Sequence, residues 1–178
     1  KVGENYPEFR THKIYLDAFQ QETSTNNAVY PAATRELNTQ VNNGTLLINY
    51  TGHGGETGLA EEEFITLSDI RSWRNKDKLT VFMTATCEFS RFDDFRRTSA
   101  GEEALLNAQG GAVALFSTSR LVWAGDNYLL NKQFINFAFA RDQAGRPLCL
   151  GDIMRQTKVN TGSAWESYNK RNFMLLGD

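Results

Sequence analysis

"LLINYTGHGGETG", residues 46–58, is apolar up to Tyr50 except for Asn49, then stops at His53 and two glycines. A loop that merely turns rarely uses histidine in this way. A loop that presents a reactive side chain and bare backbone N–H groups to a substrate has a use for all three residues. A second run, "LTVFMTATCEFS" (79–90), is apolar in the same manner and ends on Cys87. With "AVALFST" (112–118) it makes three segments whose continuous apolar character predicts strands buried on both faces.

Helical patterns separate these strands. Ala33, Leu37 and Val41 recur at four-residue steps between Pro31 and Gly44, a start and a stop signal. "TLSDIRSWRNKDK" gives Leu67, Ile70 and Trp73 one short helical face that ends in a basic turn. Ser99 and Glu102 form a capping box ahead of "EEALLNAQ", with closure expected at Gly110 and Gly111. "DNYLLNKQFINFAFA" and "LGDIMRQTKVNTG" read as two further helices, and "RNFMLLGD" as a last strand. "HKIYLDAF", with Ile14 and Leu16 alternating, reads as an edge strand, and 21–31 as a loop. Strands and helices in alternation argue an α/β, three-layer α/β/α sandwich with a mainly parallel central sheet. In such sheets chemistry collects at the carboxyl ends of strands. His53 and Cys87 both fall there, 34 residues apart, which leaves room for one helical crossover to an adjacent parallel strand.

The bulk numbers narrow the function. A net charge of −2 supplies no basic footprint, so nucleic acid is not expected as a partner. No apolar run reaches the length of a membrane span. With 178 residues and 40% hydrophobic content the chain reads as a single unit, residues 1–178, large enough for a real core. Its ends, Lys1 and "FMLLGD", read as cuts in a larger protein whose N-terminal lobe precedes this piece. There are two cysteines. Cys149, between Pro147 and a helix, is expected to be a small buried hydrophobe, and a Cys87–Cys149 disulfide is disfavoured because Cys87 has a better use.

That use is nucleophilic. A free thiol, with an ordinary pKa of about 8.5, needs a base or a positive neighbour. His53 is the candidate base, since His12 has no motif around it. The Gly54 N–H and the N–H of Cys87 itself are candidate donors for an oxyanion. The glycines do not read as a phosphate cradle, since no lysine or helix-opening signature accompanies them. On pattern alone a structural histidine and an inert cysteine remain as good a reading as a catalytic pair.

The two blocks together resemble the signature of clan CD cysteine peptidases, and "INYTGHGGET", "NKDK" and "TATCEFSRFD" are similar to the gingipain family in particular. "SRLVWAGDNY" resembles that family's segment carrying an aromatic lid. "YLDAFQQET", "LNTQVNNGTLLINYTGHGG" and "CEFSRFDD" are most similar to the gingipain-like peptidase of type IX secretion. The resemblance, from about Lys13 to the end, implies a caspase/gingipain-like catalytic domain. It implies His53 as general base, Cys87 as nucleophile, Gly54 and Cys87 as oxyanion hole, Trp123 as lid over the P1 side chain, and Thr51 and Gly55 lining the pocket. It further implies protein substrates with a C-terminal sorting domain, type IX secretion components as partners, and the bacterial cell surface as location. The chemistry would need no cofactor. A structural calcium is the one metal the family suggests, for which Glu61, Glu62 and Glu63 are the nearest acids, although a solvated helix start is the favoured reading of that run. Glu56 and Asp126 read as solvated or loop-bonded acids, and Phe89 and Phe92 as packing residues. The other class of function is a non-catalytic caspase-like scaffold that binds cargo or secretion components.

Overall fold

The computed structural model describes residues 2–24, 28–162 and 168–177. In chain order, α1 (Val2–Asn5) precedes extended chain with a 3-10 turn at Leu16–Ala18, and β1 (Glu22–Thr23) pairs with β2 (Ala28–Val29). Then come α2 (Pro31–Asn43), β3 (Leu47–Thr51), the short strands β4 (Gly54–Gly55), β5 (Gly58–Leu59) and β6 (Ile65–Thr66), and α3 (Leu67–Ser72). The remainder is β7 (Thr80–Ala85), α4 (Ala100–Leu106), β8 (Ala112–Thr118), α5 (Ala124–Ala138), α6 (Leu150–Asn160), α7 (Tyr168–Asn172) and β9 (Phe173–Gly177).

The main sheet has the order β3-β7-β8-β9, with the first three parallel and β9 antiparallel to β8. Side chains alternate across a strand, so neighbours enter different cores. Phe82 and Leu115 join Leu37, Val41, Ile70 and Trp73 on the face covered by α2, α3 and α4. Met83 and Phe116 join Leu130, Phe134, Ile153 and Met154 on the face covered by α5 and α6. The expected α/β/α sandwich with a mainly parallel sheet is what forms. Capping boxes open two of the helices, Thr66 with Asp69 at α3 and the expected Ser99 with Glu102 at α4.

Several local expectations are corrected. Residues 12–19 form no strand: Ile14 and Leu16 pack on the first core, but no neighbouring strand takes their backbone. Alternation marks a half-buried segment, and pairing is a separate condition. β3 is not buried on both faces, because it is the sheet edge; Leu46 is exposed and so is Asn49. α4 ends at Leu106, before Gly110, because the Asn107 amide donates to the Ile70 and Trp73 carbonyls and draws the chain off the helix axis. Gly111 is needed further on, at φ +102°. Residues 21–31, expected as loop, hold β1 and β2 and, at Pro31, the first residue of α2, and 25–27 lie outside the described residues. Among the described residues no helix is long and apolar enough to cross a membrane.

Candidate active site

The parallel pairing of β3 with β7 sets Leu47 against Val81 and ends with Thr51 against Ala85. Gly52 extends it weakly, its N–H reaching the Ala85 carbonyl at 3.5 Å. His53 and Cys87 each lie two residues past the last pair, at one rim of the sheet, and adjacent strands run about 4.8 Å apart. The next residue of the histidine loop packs directly on the cysteine strand. A Cβ on Gly54 would sit 2.7 Å from Thr86 Oγ1 and 3.0 Å from the Gly58 carbonyl oxygen. Only glycine fits that approach. The Ala60 N–H donates to the His53 carbonyl at 2.8 Å, which makes Gly54–Leu59 a non-hydrogen-bonded rung of the antiparallel ladder and turns the Gly54 N–H away from β5. The Tyr50 hydroxyl also donates to that carbonyl, at 2.6 Å, and burial pushes the phenol up to about 12, so it remains a donor at neutral pH.

Cys87 is half-buried, and its thiol donates to the Val122 carbonyl at 3.6 Å. The next residue, Glu88, is held at φ +51°, a left-handed conformation uncommon outside glycine, with its N–H on the Arg120 carbonyl at 3.3 Å. The chain therefore turns sharply at the cysteine. Phe89 then packs on Phe82, ring centres 5.5 Å apart, as a packing residue should. Phe92 does not pack; it is 50% exposed on the loop that follows. Ion pairs brace that loop, two of them through its aspartates. Arg120 pairs with Asp93, and the Arg96 guanidinium beside buried Asp94 keeps its carboxyl well below the usual range.

Trp123 stands next to Val122 at the start of α5, its side chain largely exposed at 72%, so it is no core aromatic. Its main chain is rigid. The carboxamide of buried Asn169 accepts from the Trp123 N–H at 3.0 Å and donates to the Trp123 carbonyl at 2.8 Å. Thr51, also exposed, accepts a hydrogen bond from the Asn131 amide of α5 at 2.7 Å. His53, Gly54 and Gly55 line an open depression of about 530 Å³ that extends past Leu59 to Ser68; Thr51, Cys87 and Trp123 lie outside its lining. The structure thus gathers the residues in two groups on the same rim: His53, Gly54 and Gly55 on one side, and Cys87 and Trp123 on the other, linked through Thr86.

Residues 1–178 match the model of peptidase family C25 throughout. The chain belongs to peptidase family C25. None of the curated proteins matches it significantly by sequence. Among solved structures this C25 chain is similar to the Arg-specific cysteine proteinase gingipain R (RgpB), with 15% identity, a TM-score of 0.70, and coverage of 82% of this chain and 35% of that one. It is similar to the same degree to the complex of the Porphyromonas gingivalis RgpB pro- and mature domains, covering 36% of that chain. A structure described only as a protease matches at 21% identity and TM-score 0.61, covering 79% of this chain and 36% of that one. The C25 chain spans about a third of the length of the structures it matches. These likenesses confirm the gingipain-like fold.

Sequence reasoning missed three partners in this C25 rim. Of the two readings of Glu56, loop-bonded is the one that forms, but its partners were missed: its carboxylate, 12% exposed, pairs with Arg91 at 2.7 Å and with Arg97 at 3.3 Å. Arg91 and Asn169 carried no signal, since each acts on a segment remote in sequence. Asp126 sits partly buried in the first turn of α5. Glu61–Glu63 is a turn and no helix start, with Ala60 and Glu63 both at positive φ. Among the described residues no three His, Cys, Asp or Glu side chains gather as a metal-holding group. Cys149 is exposed, at the N-cap of α6, and its thiol donates to Asp152 at 3.3 Å; both cysteines are free.

Proposed function

We propose that this chain carries the catalytic centre of a cysteine peptidase, with Cys87 as nucleophile and His53 as general base. The observation that carries this is the β3–β7 register, which brings both residues to the same rim at equal distance from the last pair. His53 takes the thiol proton as Cys87 Sγ bonds to the scissile carbonyl carbon, and the carbonyl π pair moves onto oxygen. The N–H groups of Gly54 and Cys87 receive that oxyanion, Gly54 because its N–H points away from β5. When the oxyanion collapses the C–N bond breaks, and the leaving amine takes the proton from His53. The thioester is then released to water or to an amine. Trp123 covers the P1 side chain, supported by its exposed ring on a pinned main chain, and Thr51 and Gly55 line the site.

The finer reading is that the protein resembles PorU. It would remove C-terminal sorting domains from type IX secretion cargo at the bacterial surface and join the new carboxyl group to an amine of anionic lipopolysaccharide. The sequence runs around His53 and Cys87 support this. A second reading, a caspase-like scaffold that binds cargo without cleaving it, is favoured by the thiol hydrogen bond to Val122 in place of a bond to the imidazole. Cargo maturation in cells carrying the full-length Cys87→Ala protein separates the two. The peptidase reading expects cargo that keeps its sorting domain; normal maturation would support the scaffold.

A further inference from the structure

His53 and Cys87 lie beyond the end of strand pairing, so their mutual placement depends on what joins the two loops there. Glu56 follows His53 by three residues at the tip of the β4–β5 hairpin, and its backbone carbonyl accepts the Ala100 N–H at 2.7 Å. Arg91 follows Cys87 by four residues. Its Nη1 lies 2.7 Å from Glu56 Oε1 and 3.4 Å from Glu88 Oε1, so one nitrogen spans carboxylates from both loops. Glu88 is the left-handed residue directly after the nucleophile. Arg97 Nε adds an ion pair on Glu56 Oε2 at 3.3 Å.

We propose that the Glu56–Arg91–Glu88 bridge is a positioning device that holds the His53 hairpin against the Cys87 turn; this rests on reading His53 and Cys87 as the catalytic pair. Surface ion pairs contribute little, but here the Glu56 carboxylate is largely withdrawn from water, and removing Arg91 would leave it only the longer contact to the more exposed Arg97. Both contacts come from Nη1, the far end of the guanidinium, a position that the ammonium of the shorter lysine side chain does not reach from the same backbone. Backbone pairing at the rim is weak, with the Gly52 N–H at 3.5 Å from the Ala85 carbonyl, so the side-chain ion pairs on Glu56 tie the loops together. A displacement of about 1 Å between reacting groups costs up to about a hundredfold in rate. Glu56 and Arg91 touch no reacting atom in this scheme; they act through the placement of His53.

The test is a mutant cycle in the intact protein, reading the rate of iodoacetamide alkylation at Cys87 by peptide mass spectrometry near neutral pH. Glu56→Gln and Arg91→Lys are each made with His53 present and in a His53→Ala background. The expected result is a loss of about tenfold to about a hundredfold from either substitution when His53 is present, and little further loss once His53 is gone. If Glu56→Gln fails to fold, Arg91→Lys carries the test alone. Equal slowing with and without His53, or wild-type rates in both variants, would overturn the bridge as a positioning device while leaving the pair intact. A wild-type thiol indifferent to His53→Ala would overturn the pair, and the bridge with it.

Discussion

The two cysteines occupy opposite kinds of place. Cys149 is exposed at a helix N-cap, where the Asp152 carboxylate accepts its S–H, and that bond together with Arg155 holds the Asp152 carboxyl below its ordinary range. Cys87 is half-buried, but it follows a central strand by two residues, precedes a left-handed residue and lies at the same sheet rim as His53. Accessibility alone would select Cys149, whereas the proposed nucleophile is Cys87. A nucleophile needs a neighbouring base and donors for the charge it creates, and the proposed pair has its candidates for both at the rim.

Glycines beside each cysteine offer the largest contrast. Gly54→Ala would drive a methyl group into Thr86 Oγ1 and the Gly58 carbonyl, so peptidase activity is expected to fall by at least about a hundredfold. Gly151, two residues after Cys149 in α6, has open space where a methyl group would stand, with no atom within 4 Å. Gly151→Ala should leave activity unchanged and raise stability by up to about 1 kcal/mol in denaturant titration. A damaging Gly151→Ala or a silent Gly54→Ala would erase the contrast.

The pinned Trp123 gives the next effect. Asn169→Ala removes three hydrogen bonds, two of them to the Trp123 main chain and one to Asn127. It should cost about 1–3 kcal/mol of stability and raise KM more than it lowers kcat, as the indole loses its fixed station. A kcat loss at constant KM would point instead to the chemistry.

Tyr50 gives the smallest effect, at alkaline pH. Its phenol titrates near 10 when unfolded and at about 12 when folded, so its contribution is full below pH 10 and is lost as pH rises from there towards 12. Tyr50→Phe should flatten that part of the stability–pH curve, measured by thermal melts. An unchanged curve would show that burial does not raise the Tyr50 phenol.

Much of the architecture was legible in local pattern. The periodic face of α2, the Ser99–Glu102 box and the three central apolar strands depend on residues close in sequence. The edge status of β3 was not legible, since an apolar run does not say whether a neighbour lies on one side or two. For the site, strand ends marked His53 and Cys87, whereas Arg91 and Asn169 gain meaning only when 35 and 46 residues of separation close in space. The burial expected of Cys149 fails because apolar neighbours in sequence, Leu148 and Leu150, do not bury a residue at a helix start.

The account rests on imidazole and sulfur facing one another across the rim. A peptidyl acyloxymethyl ketone, added to the intact protein and followed by intact-mass and peptide mass spectrometry, asks this directly. The expected outcome is one adduct, on Cys87, abolished by Cys87→Ala and slowed at least about tenfold by His53→Ala. Labelling that favours Cys149, or that proceeds at Cys87 regardless of His53, would contradict it.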